Sequence, residues 1–415
     1  MRNILVRGFP SLDNYGTGMM GLITIYRMRK LLGDSCRFHC DFFEATDIDE
    51  VVSELDGVSA DMLVRHRPDI PFSQNMRLKA LGRSFFRPNE ARNMDLVLML
   101  GGDDISEYYG TQIWRQLVHL RHMQLAAPVI LLGQTIGPFA RRPNRLAASA
   151  LLPAMHIFPR DLWCTAYLRD ELGVTSRVQQ STDLAYADLP LQHRTDIAQE
   201  ILAANSLEPD CYATMIVSGL GAKRGAGHYT SDADAFIQRH ADMATQILAR
   251  PDMAGKKLCL LAHTHGRYYG DEAANIEAVA ARLAPGYRAR CVLVTERVLQ
   301  TRARFLLGHG LFTLTGRMHP AVSTFQMGKP AISLAYSKKY EGVIGTMLGR
   351  SDLIIDANDE QLWTSGEIVD QAMTRVDYAM ANHDRLCAEI SAAIDAQKAT
   401  VDATFARIGE LLSRP

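Results

Sequence analysis

Between residues 211 and 358 the chain alternates short apolar runs with segments of helical character, and this alternation limits the fold more than any other feature. The runs CYATMIVSGLG (211–221), KKLCLLAHTHG (256–266), RCVLVTE (290–296), LFTLT (311–315) and PAISLAYS (330–337) read as strands. Helical segments near 231–249, 270–284, 298–307, 320–327 and 340–348 separate them. Strand–helix alternation predicts a parallel, doubly wound sheet with right-handed crossovers. The first half repeats the design with NILVRGF (3–9), RFHCDFF (37–43), DLVLMLGGDD (95–104), PVILLGQTIGPF (128–139) and MHIF (155–158). At 415 residues the chain exceeds one ordinary core. Two Rossmann-like α/β domains are expected, 1–195 and 196–365, with the polar segment 191–210 as the linker. Residues 47–93 read as helices, and a helix is expected from about Met19 to Leu32. Beyond LIIDAN (353–358), a narrow apolar stripe from Met373 to Leu412 predicts a helical strap over 366–415 that braces the two domains or dimerises.

Composition narrows the function classes. With 47% hydrophobic and 22% charged residues the chain is neither disordered nor a membrane bundle. A net charge of -1 gives no global attraction to nucleic acid or to an anionic membrane, so any anion site must be local. No run approaches the roughly 18 to 20 apolar residues of a span, and MRNILVRGFPSLDNYG lacks a secretory pattern, so a cytoplasmic location is expected. Seven scattered cysteines suit reduced thiols, and Cys36 and Cys40 around His39 read as strand packing because no second ligand pair occurs downstream.

Ligands of doubly wound folds bind at the carboxyl ends of the strands. The stretch LFTLTGRMHPAVSTFQMGKPAISLAYSKKYEG (311–342) carries the densest chemistry there. Pro320 fits the first turn of a helix and Gly328 its stop. Arg317 then lies in the strand-to-helix loop and His319 at or next to the N-cap, where a cation, an imidazole and helix N–H groups suit an anion. Tyr336, Lys338 and Lys339 come after the next strand. Ser218, His263 and His265 stand at other exits of the same half. His263 and His265 as a metal pair lack a third ligand, and alternate strand residues face opposite sides. SGLGAKRGAGHYT (218–230) suits either a phosphate-covering loop or ordinary flexibility.

In the first half, Asn14 and Thr17 of NYGTG serve either ligand contact or plain turn chemistry. Asp103 and Asp104 are a base or sugar-orienting pair, or the N-cap of a helix beginning near Ile105. Gly133 and Gln134 lie in GQTIGP, a loop open to close ligand approach or merely tight. Arg160 offers a bidentate fork for phosphate or carboxylate, or pairs with Asp161. The basic, aromatic stretch KALGRSFFRPNEAR (79–92) is an acceptor-binding edge or a solvated face.

Taken in order, Asn14-x-Gly16, GGDD (101–104), GQTIGP (133–138), Arg160-Asp161, Arg317-x-His319, Gly328-x-Pro330 and Tyr336-x-Lys338 resemble the polysaccharide pyruvyl transferases over most of the chain. The resemblance implies a GT-B-like pair of Rossmann-like domains facing a cleft. It implies transfer of the enolpyruvyl group of phosphoenolpyruvate to sugar hydroxyls as a cyclic ketal, with neither metal nor nicotinamide cofactor. The acceptor would be a sugar or lipid-linked oligosaccharide, nucleic acid would not be a partner, and membrane contact would be peripheral at most. On this reading His319 is the acid, Arg317, Arg160 and Lys338 neutralise phosphate and carboxylate, and Asp103 or Asp104 serves the acceptor. Many members carry Asp where this chain has Thr17. Two other classes are compatible with a cationic sheet edge: a GT-B nucleotide-sugar glycosyltransferase and a non-catalytic sugar- or anion-binding protein.

Overall fold

Strands apolar on both faces can be sheltered only inside a sheet covered by helices on each side. The computed structural model describes residues 1–66, 90–108, 110–219, 229–265 and 272–413, and it contains two such sheets. In the first, β1 (Arg2–Arg7), β2 (Cys36–Cys40), β3 (Leu63–Arg65), β4 (Leu96–Leu100), β5 (Val129–Gln134) and β6 (His156–Pro159) lie in the order β3-β2-β1-β4-β5-β6. In the second, β7 (Tyr212–Ile216), β8 (Lys257–Leu261), β9 (Cys291–Val294), β10 (Thr313–Thr315), β11 (Ala331–Ala335) and β12 (Ile354–Asp356) lie in the order β12-β11-β10-β7-β8-β9. Every pairing between these strands is parallel. All residues of β5, β7 and β11 are buried, as their continuous apolar runs require.

Both sheets are wound the same way, outward from a first strand to one side and then back to the other. This is the Rossmann order, and it places a topological switch point between β1 and β4 in one sheet and between β7 and β10 in the other. The chain groups into two compact units, Met1–Leu12 with Met20–Leu184 and Asp402–Pro415, and Asp13–Met19 with Ala185–Val401.

Several elements differ from the reading of the sequence. The first helix runs over Tyr15–Leu32 and starts a turn earlier than Met19. Asn14 caps it, its Oδ1 accepting from the Thr17 N–H at 3.3 Å and its carbonyl from Gly18 at 2.8 Å. Glycine costs about 1 kcal/mol in a helix, which masked this turn in the sequence. Within 47–93, β3 is an extra strand after a helix of only seven residues, Asp47–Ser53. Most of the basic 79–92 stretch and most of the 218–230 loop lie outside the described residues. Among the described residues no helix begins near Ile105. The Ser106 hydroxyl donates to the Asp103 carbonyl at 2.5 Å and holds a turn instead, and the next described helix is Ile113–Gln124.

The segment 191–210 is not a free linker. It forms the helix Thr195–Ala204, whose Ile197 and Ala198 pack on Phe305. The C-terminal segment is two helices, Glu367–Ala381 and His383–Ser413, broken where the Asn382 side chain donates to the Tyr378 carbonyl at 2.9 Å. Its stripe of Ile390, Ile394, Val401, Phe405 and Ile408 is buried. Among the described residues no helix is long and apolar enough to cross a membrane.

Candidate functional site

In the second unit, the helix after β10 covers Met318–Gln326 with Arg317 as its N-cap residue and His319 in its first turn. It stops where expected. Gly328 takes φ +78°, its N–H bonds the Phe325 carbonyl at 2.8 Å, and Lys329 bonds the Thr324 carbonyl at 3.1 Å, which is a Schellman closure. The preceding loop is clamped from below. The hydroxyl of Tyr229 lies 2.5 Å from the Gly316 carbonyl and that of Tyr340 3.0 Å from the same oxygen, and burial pushes both phenols well above the usual range.

Arg317 is only 8% exposed and does not stand as an open cation. Its Nε donates to Glu272 Oε1 at 2.7 Å and its Nη2 to the Thr264 hydroxyl at 3.1 Å. Burial opposes the guanidinium charge, yet the Glu272 carboxylate outweighs it and raises the Arg317 pKa. Glu272 is itself fully buried and gathers three strand exits. Oε1 also accepts from Gly219 at 3.2 Å, while Oε2 accepts from the backbone N–H groups of His263 at 2.7 Å and Thr264 at 3.0 Å. Sequence reasoning missed Glu272, because an acid at the start of a helix normally reads as a dipole partner.

His263 comes just after β8 and is 8% exposed, with neither ring nitrogen hydrogen-bonded among the described residues. Its pKa is driven well below the ordinary value by burial, then by Arg317, His319 and His265. Burial likewise lowers His265. The segment opened by the first loop packs onto these imidazoles. Asn14 makes an antiparallel bridge with Thr264, the His265 N–H donates to the Asp13 carbonyl at 3.1 Å, and the Tyr15 ring meets His263 edge-on at 4.9 Å. A methyl group on Gly16 would fall 2.1 Å from His319 Nδ1, so only glycine lets the His319 ring lie against this helical turn. Sequence reading put Asn14 and Thr17 in the N-terminal domain. They belong to the second unit because Asn14 caps a helix end that is packed on β8's exit.

Tyr336, 8% exposed, comes directly after β11 and accepts from Lys339 Nζ at 2.8 Å. Lys338 is exposed. No group of three or more His, Cys, Asp or Glu side chains suited to a metal ion occurs among the described residues.

The first unit gathers the other expected residues at the exits of β4, β5 and β6. Asp103 is buried and Asp104 exposed. A Cβ on Gly101 would lie 1.9 Å from the Gly133 carbonyl oxygen, so the GGDD and GQTIGP turns are in direct contact. Gln134 is buried, its amide donating to the Leu100 carbonyl at 2.6 Å. Arg160 is 1% exposed and pairs with Asp183, which the sequence reading did not consider, at 3.0 Å. Its Nε donates to Thr135 Oγ1 at 2.8 Å, and that hydroxyl donates to Asp161 Oδ2 at 2.7 Å. Asp161 is the N-cap of the following helix, accepting from Cys164 at 2.7 Å, rather than the partner of Arg160.

A family model described as polysaccharide pyruvyl transferase matches residues 40–338, most of the chain. No curated protein matches the sequence. Solved structures do match in fold. UDP-GlcNAc 2-epimerase from Neisseria meningitidis bound to UDP-GlcNAc aligns with a TM-score of 0.58 at 12% identity, covering 97% of this chain and 99% of that one. The S. aureus MnaA-UDP co-structure aligns at 0.57 with 13% identity, covering 95% and 91%. The alpha,alpha-trehalose 6-phosphate synthase of Burkholderia multivorans aligns at 0.54 with 10% identity, covering 99% and 100%. At such identities the likeness is one of fold, two Rossmann-like α/β halves of the GT-B type.

Proposed function

This chain belongs to the polysaccharide pyruvyl transferase family, and on that premise we propose that it moves the enolpyruvyl group of phosphoenolpyruvate onto two hydroxyls of a sugar or lipid-linked glycan, releasing phosphate. The observation that carries this reading is the family match ending on the strand exits that hold His263, Glu272, Arg317, His319 and Lys338. Phosphoenolpyruvate is an unreactive enol ether until its methylene carbon is protonated. His319, in the first turn of a helix and against the backbone at Gly16, is assigned that proton transfer. Protonation leaves an oxocarbenium-like carbon, which a sugar hydroxyl attacks with loss of its proton. Departure of phosphate then lets a second hydroxyl close the ketal.

Arg317 is assigned to the donor's anionic groups, held at a fixed angle by Glu272 and Thr264. Lys338 and Tyr336 extend the same edge, and His263 is assigned to contact the donor. For the acceptor proton the exposed Asp104 is the proposed base, and Asn14, Thr17, Gly133 and Gln134 shape their turns rather than react. No phosphate contact is assigned to Arg160, whose side chain is 1% exposed against 10% for that of Arg317.

The decisive experiment measures phosphate release from phosphoenolpyruvate with a panel of acceptor glycans. Acceptor-dependent release with a ketal product is expected. Stabilisation by a nucleoside diphosphate without response to phosphoenolpyruvate would transfer the chain to the nucleotide-sugar class, and binding of glycan without phosphate release would make it a binding protein.

A further inference from the structure

Glu272 holds a position that the proposed chemistry does not explain. It is a fully buried carboxylate, costly to keep charged unless paired and hydrogen-bonded, and here it meets four donors from the exits of β7, β8 and β10. The Arg317–Glu272 pair is close to neutral as a unit. An anion entering this edge therefore meets a guanidinium already partnered by a carboxylate, with imidazoles beside that pair.

We propose that Glu272 is a positioning residue that sets the charge of this site: it orients Arg317 and cancels its field, so that the neighbouring imidazoles can accept the proton a bound anion calls for. His263 faces Tyr15, Arg317, His319 and His265. His265 faces Glu272, His263, and the Asp13–Arg297 pair closed at 2.7 Å. Glu272 acts to raise the affinity of His265 for its proton, and Arg317 acts to lower that of His263. The two members of the pair thus bias the imidazoles in opposite directions, and removing either should be visible without any substrate.

The test is an NMR titration of the histidine side chains in the full chain and three variants. With Glu272→Gln, the titration of His265 is expected to move down by about one pH unit, the size of a unit charge acting over a few ångströms in a partly screened interior. With Arg317→Gln, that of His263 is expected to move up by a similar amount. The double variant should return both toward wild type, since the net charge of the pair is restored. A merely structural Glu272 would lower the melting temperature without producing these opposite shifts.

Unchanged titrations in a folded Glu272→Gln protein would overturn the proposal. So would a double variant that moves further from wild type than either single one. If Glu272→Gln does not fold, Arg317→Gln alone decides: no upward move of His263 sinks the idea. The use made of the proton rests on the pyruvyl-transfer reading, but these titrations need no phosphoenolpyruvate. A chain that never releases phosphate would end that reading and leave the result for Glu272 standing.

Discussion

The two sheets are wound identically, and each buries an arginine–carboxylate pair beside its strand exits, yet the pairs sit in different company. In the first unit Arg160 and Asp183 are sealed among Thr135, Asp161 and Gln134, and the pair belongs to the interior. In the second unit Arg317 and Glu272 lie beside His263 and His265, imidazoles whose pKa burial lowers. The same fold and the same ion-pair chemistry therefore give a brace in one half and a histidine-lined edge in the other. The difference lies in the residues at the strand ends. β8 leads into His-Thr-His, while β5 leads into Gln-Thr-Ile-Gly-Pro with no charge at all.

The contrast breaks most sharply at His319. His319→Ala is expected to cut acceptor-dependent phosphate release by about 10²–10⁴-fold while the melting temperature is kept. Activity within about threefold of wild type would take His319 out of the mechanism. The matching change in the first unit acts on stability. Asp183→Ala strands a buried guanidinium and should cost about 3–5 kcal/mol in denaturant unfolding. If it left stability intact while abolishing turnover, Arg160 would belong to the chemistry after all.

Gly16→Ala probes the packing of the His319 ring. The added methyl must displace the ring or the turn, at about 1–3 kcal/mol, with at least a tenfold fall in turnover. Wild-type turnover in a folded variant would show that the ring's place is not set there.

Acid should weaken the second unit before the first. His240, buried with Phe236 and Trp363, is lowered by burial to about 4, and His263 lies well below its usual value for the same leading reason. A histidine whose folded-state pKa is depressed supports stability above about pH 6.5 and loses it as pH falls toward the folded value. His240 alone should remove about 2 kcal/mol between pH 7.5 and pH 5. Hydrogen exchange at pH 5 should report faster opening around Ala233–Ala249 than around β4 and β5. Uniform loss of protection across both units would contradict this. The smallest effect is expected at Lys338, whose side chain is exposed. Lys338→Ala should raise the KM for phosphoenolpyruvate by about threefold and change stability by less than about 0.5 kcal/mol.

Sheet strands were legible because a strand buried on both faces leaves an unbroken apolar run, and ten of the twelve strands sit on runs read from sequence as strands. The misses were β3 and β12, each three residues long and only partly buried, which leaves no such run. The start of the first helix was misplaced for a different reason, since Gly16 and Gly18 weaken local helix signal, and at Gly16 the packing of the His319 ring requires the glycine.

The sequence by itself determined that the chain is a pair of parallel, doubly wound α/β halves, and that Arg317 and His319 open, and Gly328 closes, the helix after one strand. Apolar runs, prolines and glycines act locally, so their message survives without contacts. Only the tertiary structure decided which charges are compensated. Glu272 lies 45 positions from Arg317 and Asp183 lies 23 from Arg160. An ion pair is a distance between two side chains in space, and no pattern along the chain encodes it.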